Sequence, residues 1–342
     1  MSRAALALVA DDLTGALDAA APFASDAARV VVATCPDALD AALETGADVI
    51  AVSTRSREIA ADAAQARVAG VLARLPSGMR VVKKIDSRLK GHIGAELAAF
   101  GDRSFVVLPA LPEFGRLVRN GAVEGFGLAR PLPVKAVLGA AAARALVPDT
   151  LSSDDIDNAL AAAPEDAVLV GARGLARALA RAMGITPPVS VPALPAPVCI
   201  VVGSTDPITL AQVDALISAR PETAHHRAPS GAGTVVPAGP ALALVQATDG
   251  PEAPGPAVAA SLARTAGPLL RAARSVVLTG GATAEALLDD LGETCLEVNG
   301  EALPGLPLCR AGGKVLVTKS GGFGGPDTLV RLLDLRGSMA AE

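Results

Sequence analysis

The chain has 342 residues, 51% hydrophobic and 19% charged, with a formal net charge of −5. That length exceeds one ordinary core and suits two, and the composition excludes a disordered chain. With no Trp or Tyr a base-stacking platform is not expected, and the negative charge argues against nucleic acid or a membrane surface as the main partner.

Hydrophobic runs and helical periodicity alternate from the start. Strands are predicted over residues 5–9, 29–33, 48–53, 81–84 and 104–108, and helices over 13–23, 37–44, 58–75 and 93–100. After Arg116 the pattern fades until a strand at 167–170 and a helix at 175–183. Pro187, Pro188, Pro192, Pro195 and Pro197 then crowd one short stretch, which neither a helix nor a central strand accepts. Beyond it the alternation restarts: strands at 198–202, 275–278 and 314–317, and helices at 208–219, 258–273, 284–291 and 328–333. The expected fold is α/β with two domains, each a mainly parallel sheet flanked by helices. Their expected bounds are 1–185 and 198–342, joined by a proline-rich linker at 186–197.

The apolar run Ala4 to Ala10 is too short for a secretory leader and is followed by Asp11 and Asp12. The uncharged stretch Ala228 to Thr248 is broken by Pro229, Pro237 and Pro240, so it is not a membrane helix. A cytoplasmic protein is expected, with no membrane partner; the oligomeric state is left open. Cys35, Cys199, Cys295 and Cys309 form no metal-type pair and are expected as buried, reduced thiols. His92, His225 and His226 form no metal motif either, and the adjacent pair is expected in an exposed loop.

In open α/β sheets, ligands sit beyond the carboxyl ends of strands. Five such junctions carry unusual chemistry. In the first, Asp11 and Asp12 adjoin: an N-cap explains one, while the pair suits a hydroxyl ligand, a base or a magnesium site. Ser53 to Arg57 offers Arg55 or Arg57 as a bidentate carboxylate binder, or as a solvated surface group. Lys83, Lys84 and Lys90 cluster around Asp86 and Ser87, although only six of the 30 basic residues are lysine. That bias suggests a need for compact ammonium groups, the alternative being a charged helix start. Gly203 to Pro207 has the small donors of an anion-binding turn or of a plain capped turn. The fifth junction comprises Gly280-Gly281-Ala282-Thr283 and Lys319-Ser320-Gly321-Gly322-Phe323-Gly324, where missing Cβ atoms admit a phosphate and Lys319 supplies charge. Neither segment matches the GxxxxGK[ST] or GxGxxG patterns.

Taken in order, these segments resemble the four-carbon acid sugar kinase family, formerly a family of unknown function. The resemblance rests on ADDLTGA (Ala10 to Ala16), STRSR (Ser53 to Arg57), KKIDSRLKGHIGAEL (Lys83 to Leu97), PALPEFGR (Pro109 to Arg116), VVGSTDPITLAQ (Val201 to Gln212), GGATA (Gly280 to Ala284), LPGLPL (Leu303 to Leu308) and TKSGGFG (Thr318 to Gly324). It implies an N-terminal acid-sugar domain, a C-terminal ATP domain, and an ATP- and Mg²⁺-dependent transferase of carbohydrate metabolism. The acceptor it implies is a terminal hydroxyl of a small sugar acid such as threonate, erythronate or 2-oxotetronate. Carried over, substrate contacts fall on Asp12, with Asp11 beside it, and on Arg55, Lys84, Ile85, Asp86 and Ser87. Asp12 is the first candidate for the base, then Asp86, with Lys84 as a catalytic cation. Nucleotide contacts fall on Ser204, Gly280, Gly281, Ala282, Thr283, Lys319, Gly321, Gly322 and Gly324. The family resembles KIDSTLRGN where this chain has Arg88, Lys90 and His92, and PENGRT where it has Phe114 and Leu117. All these departures lie in the acid-sugar half, so an acid other than threonate is expected. The competing expectations are an inactive nucleotide- or metabolite-binding protein of the same fold and an NAD-dependent oxidoreductase; the missing GxGxxG weighs against the second.

Overall fold

The computed structural model describes residues 5–186, 193–234 and 239–335. Residues 187–192, half of the expected proline-rich linker, therefore lie outside the described residues. The chain divides into two compact units, Met1–Pro187 and Pro188–Glu342.

In the first unit the order is β1 (Leu6–Ala10), α1 (Leu13–Ala20), β2 (Val30–Ala33), α2 (Leu39–Glu44), β3 (Val49–Ser53), α3 (Ala61–Arg74), β4 (Arg80–Lys84), α4 (Ile93–Ala98) and β5 (Phe105–Leu108). Then follow β6 (Arg116–Arg119), β7 (Ala122–Gly125), β8 (Leu132–Pro133), β9 (Ala145–Leu146), α5 (Ser153–Ala161), β10 (Val168–Gly171) and α6 (Arg173–Ala182). Strands lie side by side as β2-β3-β1-β4-β10-β5-β9, all parallel, and β6-β7-β8 form a small antiparallel sheet. The central strands are valine- and leucine-rich and buried at every position of β1, β2 and β3, as a sheet covered on both faces requires.

The chain leaves β1 toward β2 on one side, whereas β4 connects onward toward β5 on the other. The order of strands therefore reverses between β1 and β4, where an open α/β sheet leaves a crevice. Register brings the loops together there: Ala10 is level with Ser53 on β3 and with Lys84 on β4.

The second unit runs β11 (Val198–Val202), α7 (Pro207–Ala219), β12 (Ala224–Pro229), β13 (Leu242–Thr248), α8 (Gly255–Ala272), β14 (Ser275–Thr279), α9 (Gly281–Leu291), β15 (Cys295–Leu303), β16 (Leu306–Ala311), β17 (Lys314–Lys319) and α10 (Thr328–Leu333). Its order is β12-β13-β11-β14-β17-β16-β15, parallel through β17 and antiparallel beyond. The reversal recurs between β11 and β14, with Val202 level with Thr279, and Thr279 with Lys319. Val198, Ile200, Val202, Leu244, Val277 and Val317 pack one core with Leu216 of α7 and Leu329 of α10.

The structure corrects two expectations. His225 and His226 lie half-buried in strand β12, where a His225 ring nitrogen bonds Gln246 Oε1 at 2.9 Å. Cys199 and Cys309 are buried as expected, but Cys35 and Cys295 are half-exposed. Among the described residues, no helix is long and apolar enough to cross a membrane. Burial pushes the Cys199 thiol up to about 12 and raises Cys309 as well. A thiol reagent at pH 8 should therefore label Cys35 and Cys295 in the native protein and reach Cys199 and Cys309 only after denaturation, as read by peptide mass spectrometry.

Candidate active site

Asp11 and Asp12 leave the end of β1 with both side chains buried. Asp12 caps α1: Gly15 N donates to its Oδ1 at 2.8 Å, and Thr14 Oγ1 donates to Oδ2 at 2.8 Å. Two carboxylates this close need a cation, and Arg57 from the loop after β3 provides it. Arg57 Nε and Nη2 donate to the two oxygens of Asp11 at 2.7 and 2.8 Å, and Nη1 donates to Asp12 Oδ2 at 2.7 Å. Burial works to raise the pKa of Asp11, but Arg57, with Lys83 and Lys84 adding charge, outweighs it and holds the carboxyl below its ordinary value. Burial likewise opposes charge on Arg57, yet Asp12 and Asp11 drive its pKa upward.

So Arg57 does form a bidentate carboxylate bond, but with the protein's own Asp11. Arg55 has left-handed backbone, φ 47°, and its Nε donates to Thr34 O at 2.9 Å.

The third loop divides its lysines between two jobs. Lys83 is fully buried and pairs with Glu96 of α4 at 2.8 Å, while also donating to the carbonyl of Lys84. Ser56 Oγ donates to the other Glu96 oxygen, and Thr54 and Ser56 hydroxyls meet at 2.6 Å. This network ties β4, the loop after β3 and α4 together. Lys84 is also buried, at 5% exposure, but its ammonium has no hydrogen bond or ion pair among the described residues. It stands 3.1 Å from where a Cβ on Gly15 would lie, and Asp12 Oδ1 is 2.4 Å from the same point. Ile85 is buried, with its N–H on Gly171 O. Asp86 Oδ1 accepts from Arg88 N at 2.7 Å, and Ser87 Oγ accepts from Arg116 Nη1 at 2.6 Å.

Gly91 closes the loop with φ +87°, and a Cβ there would stand 2.7 Å from Asp11 Oδ2. Lys83–Glu96, Arg116 and Gly91 were not singled out as site residues from sequence. The available signal was the repeated choice of lysine, and it did not separate the paired Lys83 from the unpaired Lys84.

In the second unit, glycine backbone gathers at three adjacent strand ends. A Cβ on Gly203 would lie 1.9 Å from Thr283 Oγ1, and one on Gly321 would lie 2.4 Å from Ser204 Oγ. Gly280, at φ +96°, precedes α9; Gly281 opens that helix, Ala282 is exposed in its first turn, and Thr283 is buried. Asp206 caps α7 through Ile208 N at 2.9 Å. Thr209 and Gln212 of α7 hold the carbonyls of Gly321, Phe323 and Gly325 at 2.7–2.9 Å, shaping the segment around Gly322 and Gly324. Backbone N–H groups unencumbered by Cβ atoms at such helix starts suit an anion.

Lys319, expected to offer its charge outward, is fully buried. Its Nζ donates to Thr209 Oγ1, Ser320 O and Gly321 O at 3.0–3.1 Å. An ammonium has three hydrogens, so this one is committed to shaping the glycine loop. Burial lowers its pKa to about 8, with Asp206 opposing the shift.

A sugar-binding N-terminal domain model matches residues 6–133, and a nucleotide-binding C-terminal domain model matches 234–329. Fold, matches and relatives define a sugar-acid kinase, a phosphotransferase. The D-threonate kinase of Bordetella bronchiseptica is 32% identical over 395 residues, covering 95% of this chain and 96% of its own. The 3-oxo-tetronate kinase of Methylobacterium radiotolerans is 29% identical, covering 97% and 99%. A solved Haemophilus influenzae protein shares the fold with a TM-score of 0.72 at 19% identity, covering 96% and 99%. The chain belongs to the four-carbon acid sugar kinase family.

Gly91→Ala should lower the unfolding free energy by about 1–3 kcal/mol, because it adds left-handed strain and a clash with Asp11; urea denaturation measures it. Lys319 gives a pH signature. Its folded pKa is about 8, below the ordinary lysine value of 10.5, so the unfolded chain binds more protons between those limits. The cost of its buried charge is full below pH 8 and is relieved as pH rises toward 10.5. Over that window, wild type should gain stability relative to Lys319→Met in paired denaturation curves.

Proposed function

We propose that the chain transfers the γ-phosphoryl group of ATP to a terminal hydroxyl of a small sugar acid related to threonate, erythronate or 2-oxotetronate. The observation that carries this is the buried Lys84 ammonium, which makes no hydrogen bond or ion pair among the described residues, beside Asp12 at the point where strand order reverses. A buried ammonium whose hydrogens are unspent is costly even near carboxylates, and an anionic ligand that accepts from it removes the cost. The Asp11–Arg57–Asp12 cluster is internally bonded and rigid, so it can orient hydroxyls with little reorganisation.

Asp12 is the proposed base. Among the described residues its Oδ1 accepts only from Gly15 N, so a lone pair remains for a substrate hydroxyl. Lys84 is placed to offset charge that develops on the transferring group. Asp86 is the second candidate base, with Oδ2 accepting no hydrogen bond among the described residues. Arg55, Ile85 and Ser87 complete the proposed acid contacts.

ATP is assigned to the domain expected over residues 198–342, within the second unit, through Ser204, Gly280 to Thr283, and Gly321, Gly322 and Gly324; Lys319 supports that loop from below. The domain expected over residues 1–185, within the first unit, is assigned the acid. Among the described residues no three His, Cys, Asp or Glu side chains form a metal cage. A magnesium ion carried by nucleotide phosphates needs only one or two protein carboxylates. Asp206 fits that need: its Oδ2 accepts no hydrogen bond among the described residues and lies 3.4 Å from where a Cβ on Gly322 would stand. Bound there, the ion would neutralise phosphate charge.

Acid-dependent ADP release in a coupled assay tests this. Lys84→Met and Asp12→Asn should each lower kcat/KM for the acid by about 100-fold or more while leaving the KM for ATP within about threefold. An inactive binding protein would instead bind ADP with no acid-dependent release, and both substitutions would be silent.

A further inference from the structure

The charges of the first unit's site do not cancel uniformly. Asp11 and Asp12 face Arg57 and Lys84, so two negative charges meet two positive ones. Lys83 and Glu96 cancel each other. On the turn that follows, Asp86 is shared among three guanidinium groups, Arg88, Arg116 and Arg57. The excess positive charge therefore sits at this second spot.

The two arginines converge on the turn after β7. A Cβ on Gly127 would stand 3.0 Å from Arg116 Nη2 and 4.0 Å from Arg88 Cδ. Arg116 is buried on β6. Its Nε and Nη2 donate to Phe126 O at 3.1 and 2.7 Å, and Nη1 donates to Ser87 Oγ. A guanidinium carries five N–H groups, so two of Arg116's remain unspent among the described residues. Ser87 Oγ accepts from Arg116, which leaves its own hydroxyl hydrogen to donate. Arg88 gives only its backbone N–H to Asp86; its guanidinium has no hydrogen bond or ion pair among the described residues. Arg116 also feels the imbalance: burial first, and then the positive charge of Arg88, hold its pKa below the ordinary arginine value against the pull of Asp86.

We propose that Arg88 and Arg116, with the Ser87 hydroxyl, bind the carboxylate of the sugar acid, so that its phosphorylated hydroxyl end lies at Asp12 and Lys84. The assignment rests on the sugar-acid kinase function proposed above and orients the acceptor within that site. Guanidinium groups match a planar carboxylate, whereas the Lys84 ammonium is a point charge suited to a phosphoryl oxygen. Arg88 and Arg116 are then specificity residues for the acid function, and Lys84 is not.

The test compares the sugar acid with its own carboxamide, which keeps the hydroxyls and loses the charge, in wild type, Arg88→Gln, Arg116→Lys and Lys84→Met. Wild type should favour the acid. Arg88→Gln and Arg116→Lys should cut the acid-to-amide ratio of kcat/KM by about tenfold or more, as loss of charge-assisted bonds predicts. Lys84→Met should lower both substrates and leave the ratio within about threefold. A ratio unchanged in Arg88→Gln, or lost in Lys84→Met instead, overturns the assignment. Arg88 is half-exposed, so Arg88→Gln decides the matter even where Arg116→Lys does not fold. Calorimetry of acid and amide binding to the same proteins separates the two claims. No ADP release by wild type with any acid defeats the kinase function. Acid-over-amide binding that survives Arg88→Gln defeats the carboxylate site.

Discussion

Two carboxylates side by side at the end of a buried strand cannot both stay ionised without a cation, and the first unit is built around that demand. Arg57 meets it with three charge-assisted hydrogen bonds to Asp11 and Asp12. Much of the neighbouring backbone follows. The loop after β3 must turn back over β1, and Arg55 takes left-handed backbone within that turn. Gly15 and Gly91 must lack side chains, because a Cβ on either would strike an aspartate oxygen. Removing one partner from such a buried pair typically costs about 3–5 kcal/mol, so the cluster stands as a unit.

The cluster also explains why Lys84 can be left unpaired. With Arg57 covering Asp11 and holding Asp12 through one oxygen, Lys84 remains near negative charge without being consumed by it. Its neighbour Lys83 does the opposite, spending its charge on Glu96 to fix the surrounding loops. One side chain is structural and the next is available, because successive residues of a strand point to opposite faces. The second unit solves a different problem. A polyanionic ligand needs backbone N–H groups and close approach more than fixed positive charge, so glycines occupy the strand ends and Lys319 is turned inward to hold their carbonyls.

The parallel α/β architecture was legible from sequence because its strands are continuous apolar runs separated by helical periodicity. The predicted strands and helices from Leu6 to Leu108 reappear within a few residues. The misses have physical causes. β12 and β13 fall in a Gly/Pro-rich region, and β12 carries His225, His226 and Arg227, a poor match to a buried strand. β15 alternates buried and less buried positions around Gly300, and β16 is short and carries Pro307, so neither stands out as an apolar run. The loops of the candidate site were legible as unusual chemistry, but their internal pairing was not. Whether Arg57 meets a ligand or Asp11 depends on the register of β1 with β3, and the burial of Lys319 depends on α7, more than 100 residues away in the chain.

The central claim is that this chain phosphorylates a small sugar acid at a terminal hydroxyl. Phosphorus NMR of wild-type protein with ATP, Mg²⁺ and a panel of four-carbon and branched five-carbon sugar acids tests it most directly. The account predicts, for at least one acid, a new phosphomonoester resonance coupled to a terminal CH₂, growing in step with ADP. ADP that appears only as the partner of inorganic phosphate, or no consumption of ATP with any acid, would contradict it.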